Sequence, residues 1–320
     1  MSAAEGLWLA PLRGVTIRTF RSVFGDAIRE AGFSGLYAPF IPVNAGFRFS
    51  KRLFADILPK EREVPQTPLL VPQAIGKDPA ALREWCKAVR DLGYVRADLN
   101  AGCPFPMIRR KGRGSGLLRT PDVLERMLAA GCEAMGPGNF SVKTRLGVER
   151  PDELLALMPS FNRYPLAVLT VHARTARQMY EGEVDRAAFE AVAAAAKVPV
   201  MYNGDAPVAP PTPGRAVMVG RWFIRSLANR PDAPELLLRY VEASRQELCG
   251  DAPVLGRLKE LLSYWCQEPG WRSRWSSIKM CRSIDELILV ATETCNRRGL
   301  IGCDAVKHED DWCDRCRFVV

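Results

Sequence analysis

Residues 98–104 read Asp-Leu-Asn-Ala-Gly-Cys-Pro and place one cysteine, Cys103, in a loop directly after an apolar run. Tyr94–Leu99 alternates as a strand does, and Gly-Cys-Pro cannot continue it. Glycine frees the backbone, while proline fixes its own φ and removes a donor. A thiol at the C-terminal end of a strand stands where barrel enzymes keep their chemistry. A lone loop cysteine is as readily a small buried apolar residue, so its neighbours decide.

Those neighbours are polar groups at other strand ends. Gln73 follows the third apolar run, and Asn100 with Cys103 follows the fourth. Lys143 lies within the fifth, His172 and Arg174 end the sixth, Asn203-Gly204-Asp205 end the seventh, and Gly220-Arg221 end the eighth. In a barrel all would face one rim. Lys143, between Val142 and Thr144, needs a partner for its ammonium. The set suits a flavin mononucleotide (FMN). Glycine-rich loops after the last two strands form the usual barrel phosphate site, with Arg221 as counter-charge. A lysine steadies a reduced ring, and a glutamine amide bonds its pyrimidine edge.

The elements that must position these groups are eight candidate strands: Leu7–Leu12, Gly35–Phe40, Pro68–Ala74, Tyr94–Asn100, Phe140–Arg145, Ala167–His172, Val198–Asn203 and Ala216–Gly220. Amphipathic stretches such as Pro79–Leu92, Pro121–Cys132 and Arg186–Ala196 separate them. Strand–helix alternation repeated eight times predicts an α/β protein with a closed (β/α)8 TIM barrel. Pro11-Leu12-Arg13-Gly14 is not the glycine fingerprint that a doubly wound sheet needs. Between Asn203 and Arg215 stand four prolines, each costing a helix about 3 kcal/mol. The seventh crossover helix is therefore expected to be missing, and its place covered by the tail or a partner. After Pro231 the pattern is helical only: Ala233–Leu248, Val254–Gln267, Ser273–Arg282 and Ile284–Arg297, a small bundle. The expected division is 1–231 barrel, 232–300 helical unit and 301–320 cysteine-rich tail.

The chain has 320 residues, 48% hydrophobic and 25% charged, as a soluble globular protein does. No run is long enough to span a membrane, and Met1–Leu12 lacks the pattern of a signal peptide. A cytoplasmic protein is expected, and its ten cysteines are expected to be reduced. Net charge of +9 and a pI near 9.2 hint at a polyanionic partner. Residues 255–282 sharpen the hint with Arg257, Lys259, Arg272, Arg274, Lys279 and Arg282, interleaved with Tyr264, Trp265, Trp271 and Trp275. Cations neutralise phosphates and aromatics stack on unpaired bases; the other reading is a solvated face over a tryptophan core. Arg109-Arg110-Lys111-Gly112-Arg113 is either a clamp on RNA phosphates or a surface loop. Cys303, His308, Cys313 and Cys316 include one Cys-x-x-Cys pair, but the spacings match no standard zinc finger. No metal is expected there.

The run Asp98–Leu118 resembles the signature of tRNA-dihydrouridine synthases. So do Ala10–Thr16, Val142–Arg145, Thr170–Thr175, Pro199–Asp205 and Val217–Arg221, and Arg257–Tyr264 is similar to the family's RNA-binding bundle. The resemblance covers about residues 8–295 and is strongest to the bacterial branch. It implies an FMN barrel, driven by NADPH or NADH, that reduces a D-loop uridine of tRNA. Hydride would go to C6 of an extruded uracil and a proton from Cys103 to C5. By position, Pro11, Leu12, Arg13, Gln73, Lys143, His172, Asn203, Gly204, Asp205, Gly220 and Arg221 would hold FMN. Asn100 and Arg174 would contact the substrate, with Arg257, Lys259, Arg272, Arg274 and Lys279 on the tRNA. A monomer is expected. Two other readings stay open: an FMN barrel reductase of a free pyrimidine, and a non-catalytic tRNA-binding barrel.

Overall fold

Parallel pairing between neighbouring apolar runs closes the sheet on itself. The structure, a computed structural model, describes residues 5–58, 69–205 and 214–296. β1 (Leu7–Leu9) leads into short helices α1 (Arg18–Val23) and α2 (Gly25–Glu30), then β2 (Phe33–Tyr37) and β3 (Ile41–Val43). After β4 (Leu69–Val71) and β5 (Gln73–Gly76) come α3 (Pro79–Asp91), β6 (Ala97–Ala101), α4 (Pro106–Arg109) and α5 (Pro121–Met135). The chain continues through β7 (Phe140–Gly147), α6 (Glu153–Phe161), β8 (Leu169–Thr175), α7 (Arg186–Ala195), β9 (Val200–Asn203), β10 (Val217–Val219) and α8 (Arg221–Ser226).

β1 pairs with both β10 and β2, β2 with β4, and β5 with β6. β6 to β10 pair in sequence order. β4 and β5 are one stave interrupted at Pro72, which has no N–H for the ladder. The carbonyl of Val71 accepts from Ala38 N at 2.9 Å on one side, and that of Pro72 from Asp98 N at 2.9 Å on the other. Counted so, eight staves form the expected TIM barrel. The short β3, paired outside β5, is an addition that the apolar pattern did not announce.

Helix starts follow local chemistry. Asp78 caps α3 by accepting from Ala81 N at 3.0 Å, with Pro79 in the first turn, where a missing N–H costs nothing. Asp185 caps α7 in the same way through Ala188 N at 2.8 Å. α6 carries Pro159 inside it. Burial of Leu154, Met158 and Phe161 outweighs that proline. The Asn203–Arg215 connection, read as lacking its helix, falls largely on 206–213, outside the described residues. Cys303, His308, Cys313 and Cys316 also lie outside them.

Two apolar clusters result. One lies between the sheet and its surrounding helices. The other, Trp8, Ala10, Tyr37, Val71, Val168, Met201, Ala216 and Met218, is separate and fills the barrel lumen. In the first cluster Gly131 of α5 lies against the Phe140 ring: a Cβ there would fall 2.2 Å from ring carbons. Gly→Ala in a helix normally gains about 1 kcal/mol. Here, with Phe140 fully buried, Gly131→Ala is expected to destabilise by about 1–3 kcal/mol, read as a lower urea midpoint.

Beyond the barrel run α9 (Ala233–Glu247), α10 (Asp251–Trp265), α11 (Trp275–Met280) and α12 (Ile284–Asn296). They share the larger core with the barrel. Tyr240 meets Phe20 edge-on at 6.5 Å, Trp265 meets Phe24 at 6.5 Å, and Thr19 donates to Glu247. Among the described residues no helix is long and apolar enough to cross a membrane.

Candidate active site

Residues two apart on a strand share a face, and on three neighbouring staves the lumen face turns polar toward the C-terminal rim. On β6 that face carries Asp98 and Asn100, on β7 Ser141, Lys143 and Arg145, on β8 Thr170, His172 and Arg174. A chain of hydrogen bonds joins the buried members to the cysteine loop. Ser141 Oγ donates to Asp98 Oδ1 at 2.6 Å, and Gln73 Nε2 donates to Asp98 Oδ2 at 2.7 Å. Asn100 Nδ2 donates to Gln73 Oε1 at 2.9 Å, and Asn100 Oδ1 accepts from the backbone N–H of Cys103 at 2.6 Å and Gly102 at 3.1 Å. An ionised carboxylate only accepts, so in that form Asp98 fixes which way the Gln73 amide points, and Gln73 fixes Asn100.

Cys103 is 7% exposed. Burial raises its pKa above the ordinary thiol value, against the Phe105 N–H and the cations Arg145, Arg13 and Lys143. It is therefore a thiol at neutral pH, not a thiolate. The loop behind it folds back: Ser115 N and Oγ donate to Cys103 O at 3.1 and 2.9 Å. Gly114, at φ +57°, comes so close that a Cβ would stand 2.8 Å from that of Cys103.

Lys143 Nζ donates to Asn203 Oδ1 at 2.8 Å, while Asn203 Nδ2 is spent on Met218 O at 2.8 Å. Burial and then Arg145 lower the ammonium to about 7, against Asp98 and Cys103. Asp98 moves the other way, burial raising it to about 7 despite its bonds to Ser141 and Gln73. His172 is held well below its usual range by burial and by Arg145, Lys143, Arg174 and Arg221, so its imidazole is neutral. Its Nε2 lies 3.4 Å from Arg174 Nη1. A guanidinium only donates, which puts the imidazole proton on Nδ1.

Two buried arginines build the rim. Arg145 donates from Nε to Gly102 O at 2.8 Å, and from Nη1 to Thr175 O at 2.9 Å and Met179 O at 2.6 Å. It thus links the cysteine loop to the loop after β8. Arg174 holds the Gly182 carbonyl and pairs with Asp205 through both terminal nitrogens, and Arg221 reaches Asp205 at 3.4 Å. Met179 adopts φ 55°, and the next residue, Tyr180, presents its ring to Arg221 at 5.0 Å and Arg145 at 5.2 Å. Its centroid is 6.2 Å from that of His172.

The sequence-derived set thus separates in two. Gln73, Asn100, Cys103, Lys143, His172, Arg174, Asn203, Asp205 and Arg221 are brought together by the contacts above. Pro11 and Leu12 follow β1, and Gly220 packs beside them: a Cβ on it would lie 3.1 Å from Ala10 Cβ and 3.6 Å from Leu12. Gly204 borders Tyr202 and Val184. Arg13 is exposed, its guanidinium 5.6 Å from the Phe40 ring centroid. The helical cations stand apart. Arg257 pairs with Glu247 at 2.7 Å, Lys259 donates to Lys279 O at 2.8 Å and Cys281 O at 2.7 Å, and Arg274 donates to Val290 O at 3.2 Å. Arg272 and Lys279 are exposed. Trp265 and Trp271 are core residues, 5.2 Å apart edge to face. Asp98, Arg145 and Tyr180 were missed as site members. The first two were findable as residues two before Asn100 and two after Lys143; Tyr180 lies in an irregular loop with no local signal.

The donor set fits a flavin. Among the described residues Lys143 has a single hydrogen-bond acceptor for its three N–H bonds, and Gln73 Nε2 has one for its two. A buried amine with N–H bonds to spare beside an amide, and small residues near Arg221, suit a planar, carbonyl-edged ligand with an anionic end. Among the described residues no group of three or more His, Cys, Asp or Glu could hold a metal.

Comparison with known proteins agrees with the arrangement. tRNA-dihydrouridine(16) synthase of Cupriavidus necator is 31% identical over 204 residues, 62% of this chain and 62% of that protein. tRNA-dihydrouridine synthase B of Proteus vulgaris is 27% identical over 290 residues, 82% of this chain and 81% of that one. Morphinone reductase in complex with tetrahydroNAD superposes with a TM-score of 0.47 at 13% identity, over 79% of this chain and 89% of that one, too loose a likeness to carry function. The family described as "Dihydrouridine synthase (Dus)" matches residues 8–212, the stretch that contains Cys103, Lys143, His172 and Asn203, and this chain belongs to it.

Proposed function

We infer that the protein reduces a D-loop uridine of tRNA to 5,6-dihydrouridine with FMN and NADPH (or NADH). Family membership supports the reaction class. The observation that carries it to this chain is a buried, protonated Cys103 joined through Asn100 and Gln73 to the lumen that also holds Lys143 and neutral His172. When bound, reduced FMN would supply hydride to C6 of the uracil. Cys103 holds the proton that C5 needs, and burial keeps it there at neutral pH. Asn100 fixes the Cys103 loop. Gln73, Lys143, His172 and Asn203 would bind the ring, with Pro11, Leu12 and Arg13 beside it. Gly204, Asp205, Gly220 and Arg221 would take the phosphate end. Arg174 steadies Asp205 and the loop of Tyr180 and would contact the substrate.

The division of labour would be a catalytic barrel over 1–231, a tRNA-holding helical unit over 232–300 and a tail over 301–320, in a cytoplasmic monomer. Arg272 and Lys279 are the helical cations best exposed for phosphate contact; Arg257, Lys259 and Arg274 hold the bundle together as well.

Purified protein is expected to be yellow and to release FMN on denaturation. With NADPH it is expected to raise the mass of an unmodified tRNA transcript by about 2 Da per reduced uridine, two hydrogens being added across one bond. Turnover of free uracil or dihydroorotate with no change in the transcript would favour the free-pyrimidine reading. A colourless protein that FMN cannot reconstitute would favour the non-catalytic barrel.

A further inference from the structure

The segment behind Cys103 carries cations with no ion-pair partner among the described residues. Arg109, Arg110, Lys111 and Arg113 follow one another, and Lys77 joins them: a Cβ on Gly112 would lie 3.7 Å from Lys77 Nζ. Among the described residues these five form no ion pair, whereas Arg83, Arg119, Arg163, Arg215 and Arg230 each hold a carboxylate. Lys77 and Arg113 line a cavity of about 310 Å³ with Asn44, Asp78 and Pro79. Asp78, the one carboxylate in that lining, caps α3 through Oδ1, so the lining carries two cations to one anion. Arg113 lines the cavity and its Nε has no hydrogen-bond partner among the described residues, while guanidinium groups bind phosphate strongly.

A second feature says what kind of anion. The same segment exposes two large apolar side chains, Phe105 at 46% and Met107 at 52%. A small free anion has no use for them. A nucleic-acid strand offers phosphates and base faces side by side. The segment is also tied to Cys103 through Ser115 and Gly114, so whatever it grips is held in register with the thiol.

We propose that the cavity between Lys77 and Arg113 holds a backbone phosphate of the RNA strand next to the extruded uridine, while Phe105 and Met107 meet the neighbouring bases. The assignment rests on the reading of this chain as a tRNA-modifying enzyme. It gives the barrel its own grip on RNA, separate from the helical unit.

The test is affinity for an unmodified tRNA transcript, measured by fluorescence titration of the full-length flavoprotein between about 50 and 200 mM salt. Lys77→Met and Arg113→Met are each expected to weaken binding several-fold and to flatten the slope of log K against log salt by about 0.7–0.9, one phosphate contact each. Arg113→Lys keeps the charge and should keep the slope, which separates lost contact from lost folding. Arg83→Met, at an exposed pair with Glu133, should leave the slope unchanged. Wild-type slopes in both methionine variants would overturn the proposal. A raised KM for NADPH but not NADH in flavin reduction without tRNA, with the tRNA slope intact, would overturn it too and give the cavity to the reductant's phosphate. No binding of tRNA by the wild type would instead overturn the reading beneath it.

Discussion

Cys103→Ala is expected to lower dihydrouridine formation by about 10²–10⁴-fold, the usual worth of a positioned general acid, while NADPH still reduces the bound flavin at the wild-type rate. The split follows from geometry. Cys103 stands on the loop after β6 with its backbone N–H held by Asn100, so removing Sγ deletes a proton source without disturbing Gln73 or Lys143. The sign of the pH dependence tests the role. Burial raises the thiol above its ordinary pKa, so a proton donor should work at full rate through neutral pH and fail only in the alkaline range, as the thiol ionises. A thiolate nucleophile would gain rate over the same interval. Cys103→Ser keeps an O–H and should recover part of the activity that alanine loses. Full activity in Cys103→Ala, or a rate that climbs with pH, would remove Cys103 from the proton transfer.

Much of this site was legible in the sequence because a barrel turns strand order into position. Once eight apolar runs were read as staves, the residues at their C-terminal ends had to share a rim, and Gln73, Asn100, Lys143, His172 and Asn203 do. What escaped was set by contacts between distant segments. Charge counts could not reveal that Arg257 is taken by Glu247, or that Lys259 satisfies carbonyls of Lys279 and Cys281, since both partners lie on other elements. Likewise Trp265 and Trp271 read equally as stacking platforms or core until their mutual packing decided it. Asp98 escaped for another reason: an aspartate two residues before Asn100 was legible as sharing its face, but not as wholly buried.

That burial gives the second large effect. Asp98 is fully enclosed and its pKa is raised from 3.8 to about 7. Between those values the folded chain binds a proton that the unfolded chain has lost, so stability falls as pH rises through that window and levels off above it. Lys143, lowered from 10.5 to about 7, does the opposite: the folded chain has lost a proton that the unfolded chain keeps, so its contribution recovers as pH rises above neutrality. Asp98→Asn deletes the first effect and, by removing an anion that supports the Lys143 ammonium, strengthens the second in its own direction. Between about pH 5 and 7 the flavin-free wild type should lose stability relative to the variant by roughly 1.4 kcal/mol per pH unit, read as converging urea midpoints. The variant also has a cost that stability does not report. The introduced carboxamide can offer Gln73 either an oxygen or an amino group, so the amide that orients Asn100 is no longer fixed, and Asn100 holds the Cys103 loop. Alkylation of Cys103 by iodoacetamide, followed by mass spectrometry, should therefore be several-fold faster in Asp98→Asn than in wild type at equal pH. Parallel urea curves with unchanged alkylation would mean that Asp98 neither titrates near neutrality nor sets the direction of the chain that ends at the thiol.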